Sequence, residues 1–373
     1  MPHYIWQSPD WPALRWQSDR LLTPLGRARL GQGKLLQQAE ALGFDLGQQA
    51  QAEILTEEAV KTAAIEGENL DRNAVRSSVA RRMGLPTAGL APASRHVEGL
   101  VEALLDATLN YRKPLTEERL KGWQAALFPT GYSGLQRIRA GEWRSPGEPM
   151  QVVSGPVGRE KVHYEAPPGE KVSGEMAQFF QWWEQSQGTL DGVLRAGLAH
   201  FRFVTIHPFE DGNGRLARAL TDMALVQDEK LPARFYSLSS QIMADRDAYY
   251  SILEVTQKGD GDITVWLEWF LGCFERAVEG AESLLAGVLL KARFWQRHAA
   301  ASLTERQRKV LNRLLDAGPG GFEGGMTTRK YAGLAGVSKA TAQREIADLL
   351  DKGMLRPKTG GGRSASYEVA GEA

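Results

Sequence analysis

The sequence predicts a mainly α-helical protein with one β-hairpin, ending in a small helix-turn-helix module with a β-wing. Three observations predict it. Apolar residues recur near a 3.6-residue period through most of the chain before residue 290. A Pro- and Gly-rich stretch, 144–172, breaks that pattern with two short extended runs. Residues 301–373 then read as helix, helix, turn, helix and two extended runs.

A chain of 373 residues suggests two or three domains, at roughly 150 residues each. It can bury a large core without disulfides or structural metals. Hydrophobic residues at 42% and charged residues at 24% exclude a wholly disordered chain. Lys+Arg and Asp+Glu are both 45, which argues against a nucleic-acid coat protein or an acidic solvating tail. The one cysteine, Cys273, cannot form an internal disulfide or a cysteine zinc site. Its isolation fits a reducing compartment. No apolar run approaches the roughly 20 residues that span a bilayer. The start, MPHYIWQSPDW, lacks a basic segment followed by an apolar one. The expectation is a soluble, cytoplasmic protein with no membrane partner.

Three regions follow from the pattern: an N-terminal helical region (1–94), a core (95–290) and a C-terminal module (300–373). Trp6, Trp11 and Trp16 read as a packed cap on the core. Leu21, Leu22, Leu25, Leu35, Leu36 and Leu42 then fall near helical spacing. A second helix is expected from about Glu53, rich in Ala, Leu and Glu, with Gly67 as its natural stop. Residues 84–95 read as a loop. In the core, Met150–Val153 and Lys161–Tyr164 flank a turn at Ser154-Gly155-Pro156-Val157-Gly158, which gives the hairpin.

The chemistry concentrates in HPFEDGNGRLAR, His207 to Arg218. An apolar helix, Leu194 to Ile206, leads in. Pro208 disfavours helical geometry at His207, so the helix ends there and the imidazole can face a cleft. Gly212-Asn213-Gly214 then turns into a second helix, exposing backbone N–H groups suited to phosphate. Asp211 can hold Mg²⁺, a cation that is bound by one or two carboxylates plus substrate phosphates. Arg215 and Arg218, three apart, project side by side and can clamp phosphate oxygens. A lone turn, a lone His or an Arg pair is usually structural. Together at this spacing they make a kit for phosphoryl or nucleotidyl transfer.

This segment resembles the Fic family signature, H-x-F-x-[D/E]-G-N-G-R-x-x-R, at every defined position. Gly141-Glu142-Trp143-Arg144 looks like the family's G-x-aromatic-Arg element, and 246–271 resembles the helix and turn that complete the family core. The resemblance covers about 95–275 and implies a Fic-type helical bundle that transfers AMP from ATP to a protein hydroxyl. It implies His207 as the general base, consistent with an imidazole mostly neutral near pH 7. Phe209 would anchor the loop. Asp211 would hold Mg²⁺, and Gly212, Asn213 and Gly214 would cradle phosphates. Arg215 would neutralise the leaving pyrophosphate, and Arg218 would hold the γ-phosphate. Tyr249, Tyr250 and Gln257 match positions near the nucleoside. The hairpin, with Val152, Val153, Ser154, Gly155 and His163, looks like the flap that aligns a target segment by strand addition. His163 would touch target or nucleotide. Gly214 argues against the family's kinase-type members, which carry Lys there. Gly212 argues against phosphocholine transfer.

Thr62 to Gly67 resembles the family's inhibitory motif, [S/T]-x-x-x-E-[G/N]. Glu66 would pair with Arg218 and misalign ATP for attack; about 1 Å of misplacement can cost on the order of 10²-fold in rate. The same site could instead use Glu66 to orient a water and remove AMP. His3, His96, His200 and His298 show no partner pattern and read as structural or surface.

In the C-terminal module, twelve Lys/Arg against eight Asp/Glu give a net of about +4. Leu303, Val310, Leu311 and Leu314 line one side of its first helix. Helices at 328–334 and 339–352, the second capped by a Ser, and a wing near 354–369 resemble a winged helix-turn-helix. Lys339, Thr341, Gln343 and Arg344 would be the readers of a major groove, and Lys358 and Arg363 would meet phosphate. Protein docking or a homodimer is the open alternative for this module. A nucleotide-sensing, DNA-binding regulator is the alternative for the whole chain.

Overall fold

The computed structural model describes residues 4–40, 43–85, 92–147, 149–154, 159, 161–231, 234–317, 324–358 and 365–370. It is mainly helical. In chain order the elements are α1 (Ser18–Glu40), α2 (Gly43–Ile65), α3 (Arg72–Arg82), α4 (Arg95–Leu109) and α5 (Glu117–Leu127). The short pair β1 (Tyr132–Ser133) and β2 (Gln136–Arg137) precedes the hairpin β3 (Gln151–Ser154) and β4 (Lys161–Glu165). Then come α6 (Val172–Ser186), α7 (Gly192–Ile206), α8 (Asn213–Glu229), α9 (Leu238–Ala244), α10 (Arg246–Gln257) and α11 (Thr264–Arg297). The chain closes with α12 (Glu305–Leu315), α13 (Thr328–Ala335), α14 (Lys339–Asp351), β5 (Leu355–Pro357) and β6 (Tyr367–Val369). Two compact units result: residues 1–38 with 51–279, and residues 39–50 with 280–373. Among the described residues, no helix is long and apolar enough to cross a membrane.

The first unit is built around the antiparallel pair α7 and α8, with α4, α5 and α6 packed beside it. All fifteen residues of α7 are buried, so it is packed on every side, and its polar Arg195, His200 and Arg202 lie inside with the apolar residues. Its start is fixed by Asp191, whose carboxylate accepts from the Val193 and Leu194 N–H groups. The early tryptophans do cap the unit: Trp6 Nε1 donates to the Glu165 carbonyl at 2.8 Å and Trp11 Nε1 to Glu175 at 2.7 Å. Along α1, Leu21 and Leu35 are buried, but Leu22 is exposed. It sits beside Leu21 in sequence and so about 100° round the helix, off the packed stripe. Leu42 lies outside the described residues.

The second helix begins at Gly43, ten residues before the expected start. It ends as expected. Gly67 takes φ +85°, its N–H bonds the Ala64 carbonyl, and the Glu68 N–H bonds the Ala63 carbonyl. That is a Schellman cap, which needs the left-handed residue that Gly supplies without strain. The hairpin forms as an antiparallel pair with a register shift between Val152 and Val153. Gly155 and the rest of its turn lie outside the described residues.

The second unit has its own core, with Phe294, Val310, Leu311, Leu314, Tyr331, Ile346 and Leu349 at its centre. Thr304 and Gln307 form a capping box on α12, and Ser338 caps α14. Gly336 ends α13 at φ +65°. β5 and β6 pair antiparallel, with Leu355 opposite Val369. The glycines at 360–362 and Arg363 fall outside the described residues.

Candidate active site

The α7–α8 connection positions the site. His207 follows α7 in the left-handed region, φ +52° and ψ +59°. That is an unusual conformation for a residue with a Cβ, and it must be held. Three contacts hold it. The His207 N–H reaches the Phe203 carbonyl at 2.9 Å. Arg144 Nε donates to the His207 carbonyl at 2.8 Å, and the Arg144 N–H to the Pro208 carbonyl at 2.9 Å. A further Arg144 nitrogen donates to the Pro167 carbonyl, beyond β4. Phe209 is fully buried, with its ring centroid 4.8 Å from that of Trp143.

The imidazole is poised as an acceptor. His207 Nδ1 lies 3.3 Å from the Val204 carbonyl, which fixes the proton there and leaves the Nε2 lone pair free. Burial pushes its pKa down to about 4, so it is neutral at physiological pH.

The glycine turn is tight. The Asn213 side chain accepts from the Phe209 N–H at 3.0 Å and donates to the Phe209 carbonyl at 2.8 Å. Asn213 therefore staples the loop with its side chain and offers only its backbone to a ligand. Gly212 has φ +90°, and a Cβ there would meet the Phe128 ring at 3.0 Å. A Cβ on Gly214 would lie 2.1 Å from Glu66 Oε1. Asp211 stands at the mouth with its side chain 41% exposed. It accepts from the Gly212 N–H and from Ser133 Oγ. Among the described residues no group of three or more His, Cys, Asp or Glu converges on a metal position. A lone exposed carboxylate beside backbone N–H groups still suits Mg²⁺, most of whose ligands are water and phosphate oxygens.

Both arginines are buried and engaged. Arg218 Nε donates to Thr62 Oγ1 at 2.5 Å; its Nη2 reaches the Thr62 carbonyl at 3.0 Å and Glu66 Oε1 at 2.6 Å. Its Nη1 has no partner among the described residues, although it is buried. Such an atom costs free energy unless a ligand takes it up. Burial works most strongly against its charge, but Glu66 together with Tyr249 and Tyr250 more than offsets it, and the guanidinium pKa is raised. Arg215 is only 2% exposed. It lies over the Phe128 ring and donates to Glu68 at 2.9 Å.

The expected nucleoside residues divide. Tyr250 Oη donates to the Ile65 carbonyl at 3.3 Å, beside Arg246 Nε at 2.8 Å. Both tie the end of α2 to α10. Tyr249 is buried, its hydroxyl 2.9 Å from His200 Nε2. Gln257 is buried and donates to Thr205 at 3.2 Å. On the flap, Val153 and Val162 are exposed, and His163 Nδ1 pairs with Glu254 on α10 at 2.5 Å. His96 and His200 are not partnerless. His200 bridges Thr221 and Tyr249, and His96 bridges the Leu127 carbonyl and Glu68. Sequence alone carries no functional signal for Glu68 or Arg246, and marks His96 only as structural or surface. Each meets its partner across tens of residues or more, where no periodicity reaches.

In the second unit, Lys339, Gln343 and Arg344 are exposed on the first turns of α14, and Thr341 is half-buried under Ser338. Glu345 and Asp348 follow on the same helix and pair with Arg306 and Lys352.

Residues 114–225 match the Fic/DOC family, and residues 4–85 match a domain of unknown function (DUF4172). The protein adenylyltransferase Fic of Drosophila mojavensis is 29% identical over 164 residues, covering 43% of this chain and 31% of its own length. That of Drosophila melanogaster is 33% identical over 115 residues, covering 30% and 22%. The chain thus spans about a third or less of the curated relatives it matches. Among solved structures, a Fic family protein from Desulfovibrio desulfuricans G20 aligns with a TM-score of 0.57 at 18% identity, covering 97% of this chain and 99% of that one. A Fic domain containing signaling protein from Bacteroides thetaiotaomicron aligns with a TM-score of 0.51 at 20% identity, covering 69% and 98%. The matched span and the fold shared with these structures agree on a Fic/DOC family domain at residues 114–225.

Proposed function

We propose that the chain transfers AMP from Mg-ATP to a hydroxyl side chain of a target protein or of itself, and that Glu66 restrains this activity. The observation that carries the reading is the convergence at the start of α8. A neutral imidazole, a glycine turn, a carboxylate and two buried arginines meet there. The relatives named protein adenylyltransferase support the same chemistry. In the reaction, His207 Nε2 accepts the hydroxyl proton and the freed oxygen attacks the α-phosphorus. The bond from that phosphorus to the bridging oxygen breaks, and pyrophosphate leaves. The backbone N–H groups of 213 and 214 and Arg215 would face the developing charge, while the Gly212 N–H stays on Asp211. Asp211 would hold Mg²⁺, which supplies charge neutralisation at the phosphates. Arg218 is the γ-phosphate partner, and Glu66 takes that place here. Val153 and Val162 offer an exposed strand pair for a target segment.

Gly214 favours AMP transfer over phosphate transfer by the same site. Any side chain at 214 would collide with Glu66. For the second unit we propose a winged helix, supported by the order α12, α13, α14 and the β5–β6 ribbon. Its partner is DNA at Lys339, Gln343 and Arg344, or protein, and a mobility-shift assay at stated salt separates the two.

The test incubates wild type, Glu66→Gly and His207→Ala with Mg²⁺ and ATP labelled at the α-phosphate, then weighs the intact protein. Mass gain by one AMP, on the order of 10²-fold faster in Glu66→Gly and absent in His207→Ala, is expected. No gain in Glu66→Gly at saturating ATP, with or without added target lysate, would sink the transferase reading.

A further inference from the structure

Beyond Glu66 a second carboxylate enters the same site. The resemblance to the inhibitory motif ends at Gly67; Glu68 lies outside it. The Schellman cap at Gly67 turns the chain so that the residues on both sides of the glycine face α8. Glu66 takes Arg218, and Glu68 takes Arg215, with Oε1 2.9 Å from Nη1. Glu68 is itself gripped from behind, its Oε2 lying 2.7 Å from His96 Nε2 on α4.

We propose that Glu68 is a second inhibitory carboxylate, which holds Arg215 away from the phosphates of an incoming nucleoside triphosphate, and that His96 is the positioning residue that keeps it there. The proposal rests on the nucleotide-binding part of the reading above, not on the transfer step. Its logic is competitive. Arg215 is buried, with one face on Phe128, Nη1 on Glu68 and Nη2 3.6 Å from Asp211, while Nε lacks a partner among the described residues. To turn Nη1 toward a phosphate, the guanidinium must exchange the Glu68 contact for one with the ligand.

His96 decides how firmly Glu68 is held. Its Nδ1 lies 2.9 Å from the Leu127 carbonyl, which can only accept, so Nδ1 carries a proton. Its Nε2 faces a carboxylate, which also only accepts, so Nε2 carries one too. The geometry requires an imidazolium. The Glu68 hydrogen bond accordingly raises the His96 pKa above its ordinary value, and the His96 hydrogen bond lowers that of Glu68. The charged groups acting on the ring are Glu68, which favours the imidazolium, and Arg215, which opposes it. A raised histidine pKa means the contact is complete below about 6.5 and is lost as pH climbs through the folded-state value. Once Nε2 is bare, two acceptors face each other and Glu68 is left with its Arg215 contact alone.

Calorimetry with Mg-ATP on the full chain tests this in wild type, Glu68→Gln, Glu68→Ala and His96→Leu, each checked for an unchanged unfolding temperature. At about pH 6.5, both Glu68 variants should bind roughly fivefold more tightly than wild type, and His96→Leu should shift the same way by less. As pH is raised from about 6.5 through the folded-state value, the gap between wild type and Glu68→Gln should narrow, because His96 no longer grips Glu68. Equal affinity in wild type and both Glu68 variants at the lower pH, including no binding in any, overturns the second lock. A gap that does not change with pH overturns the role of His96. Tighter binding in the Glu68 variants, with no AMP incorporated by Glu66→Gly, would leave the lock standing and remove only the transferase.

Discussion

At the scale of single residues, the site is a set of side chains with divided duties. His207 is the clearest case. Its left-handed backbone and its Nδ1 contact aim Nε2 outward, and burial keeps it neutral with a pKa of about 4. A lowered base pKa means that the acceptor form persists until pH falls through that value. The transfer rate of Glu66→Gly should therefore not decline on account of His207 between about pH 8 and about pH 6, and should fall below about pH 5. A single-turnover pH profile checks this; a limb near 6.5 would show an imidazole that is not buried as described. The motif from 207 to 218 was legible because its parts are neighbours in sequence and the helix-exit chemistry of His-Pro and the glycine turn is local. Asn213 was assigned to the phosphates, yet its side chain staples the loop. Tyr249 lies buried against His200. Those pairings depend on which helix lies opposite, which no local pattern encodes.

At the scale of elements, the end of α2 matters most. The cap at Gly67 sets the direction of Glu66 and Glu68 together. Gly67→Ala would force a Cβ into the left-handed region at a cost of about 1 kcal/mol. It should lower stability by about that amount and raise basal AMP transfer and Mg-ATP affinity at once, by loosening both carboxylates. Paired unfolding and calorimetric titrations check it. Substitution at Glu66 alone would not tighten the Arg215 contact, so the two effects are separable. The hairpin was readable because Pro and Gly break the helical period so sharply there. The early start of α2 was not, because Gly43 and Gly47 lower local helix propensity.

At the scale of the whole molecule, stability and chemistry sit in different places. Glu229 is half-buried at the end of α8; one oxygen accepts from Gln32 at 2.8 Å and from Tyr236, and the other is buried with no partner among the described residues. Burial pushes its pKa up to about 7. The folded chain thus keeps a proton that the unfolded chain has lost, so this residue's contribution to stability falls as pH rises from about 4.5 through about 7. Glu229→Gln should unfold at a higher temperature than wild type at about pH 8, with the difference shrinking by about pH 5.5. Thermal unfolding at the two values decides it. The Fic-type core was legible at this scale because its signature motif is dense, whereas the two-unit division, with 39–50 grouped with the C-terminal residues, arises only from contacts. The order of the parts along the chain has its own consequence. Glu66 precedes its arginine by 152 residues, so on a ribosome adding about 5–20 residues per second it emerges roughly 8–30 s earlier. A nascent chain therefore never presents the completed arginine pair before its carboxylate partners have been made, so under the proposed restraint new protein would need no separate step to switch it off.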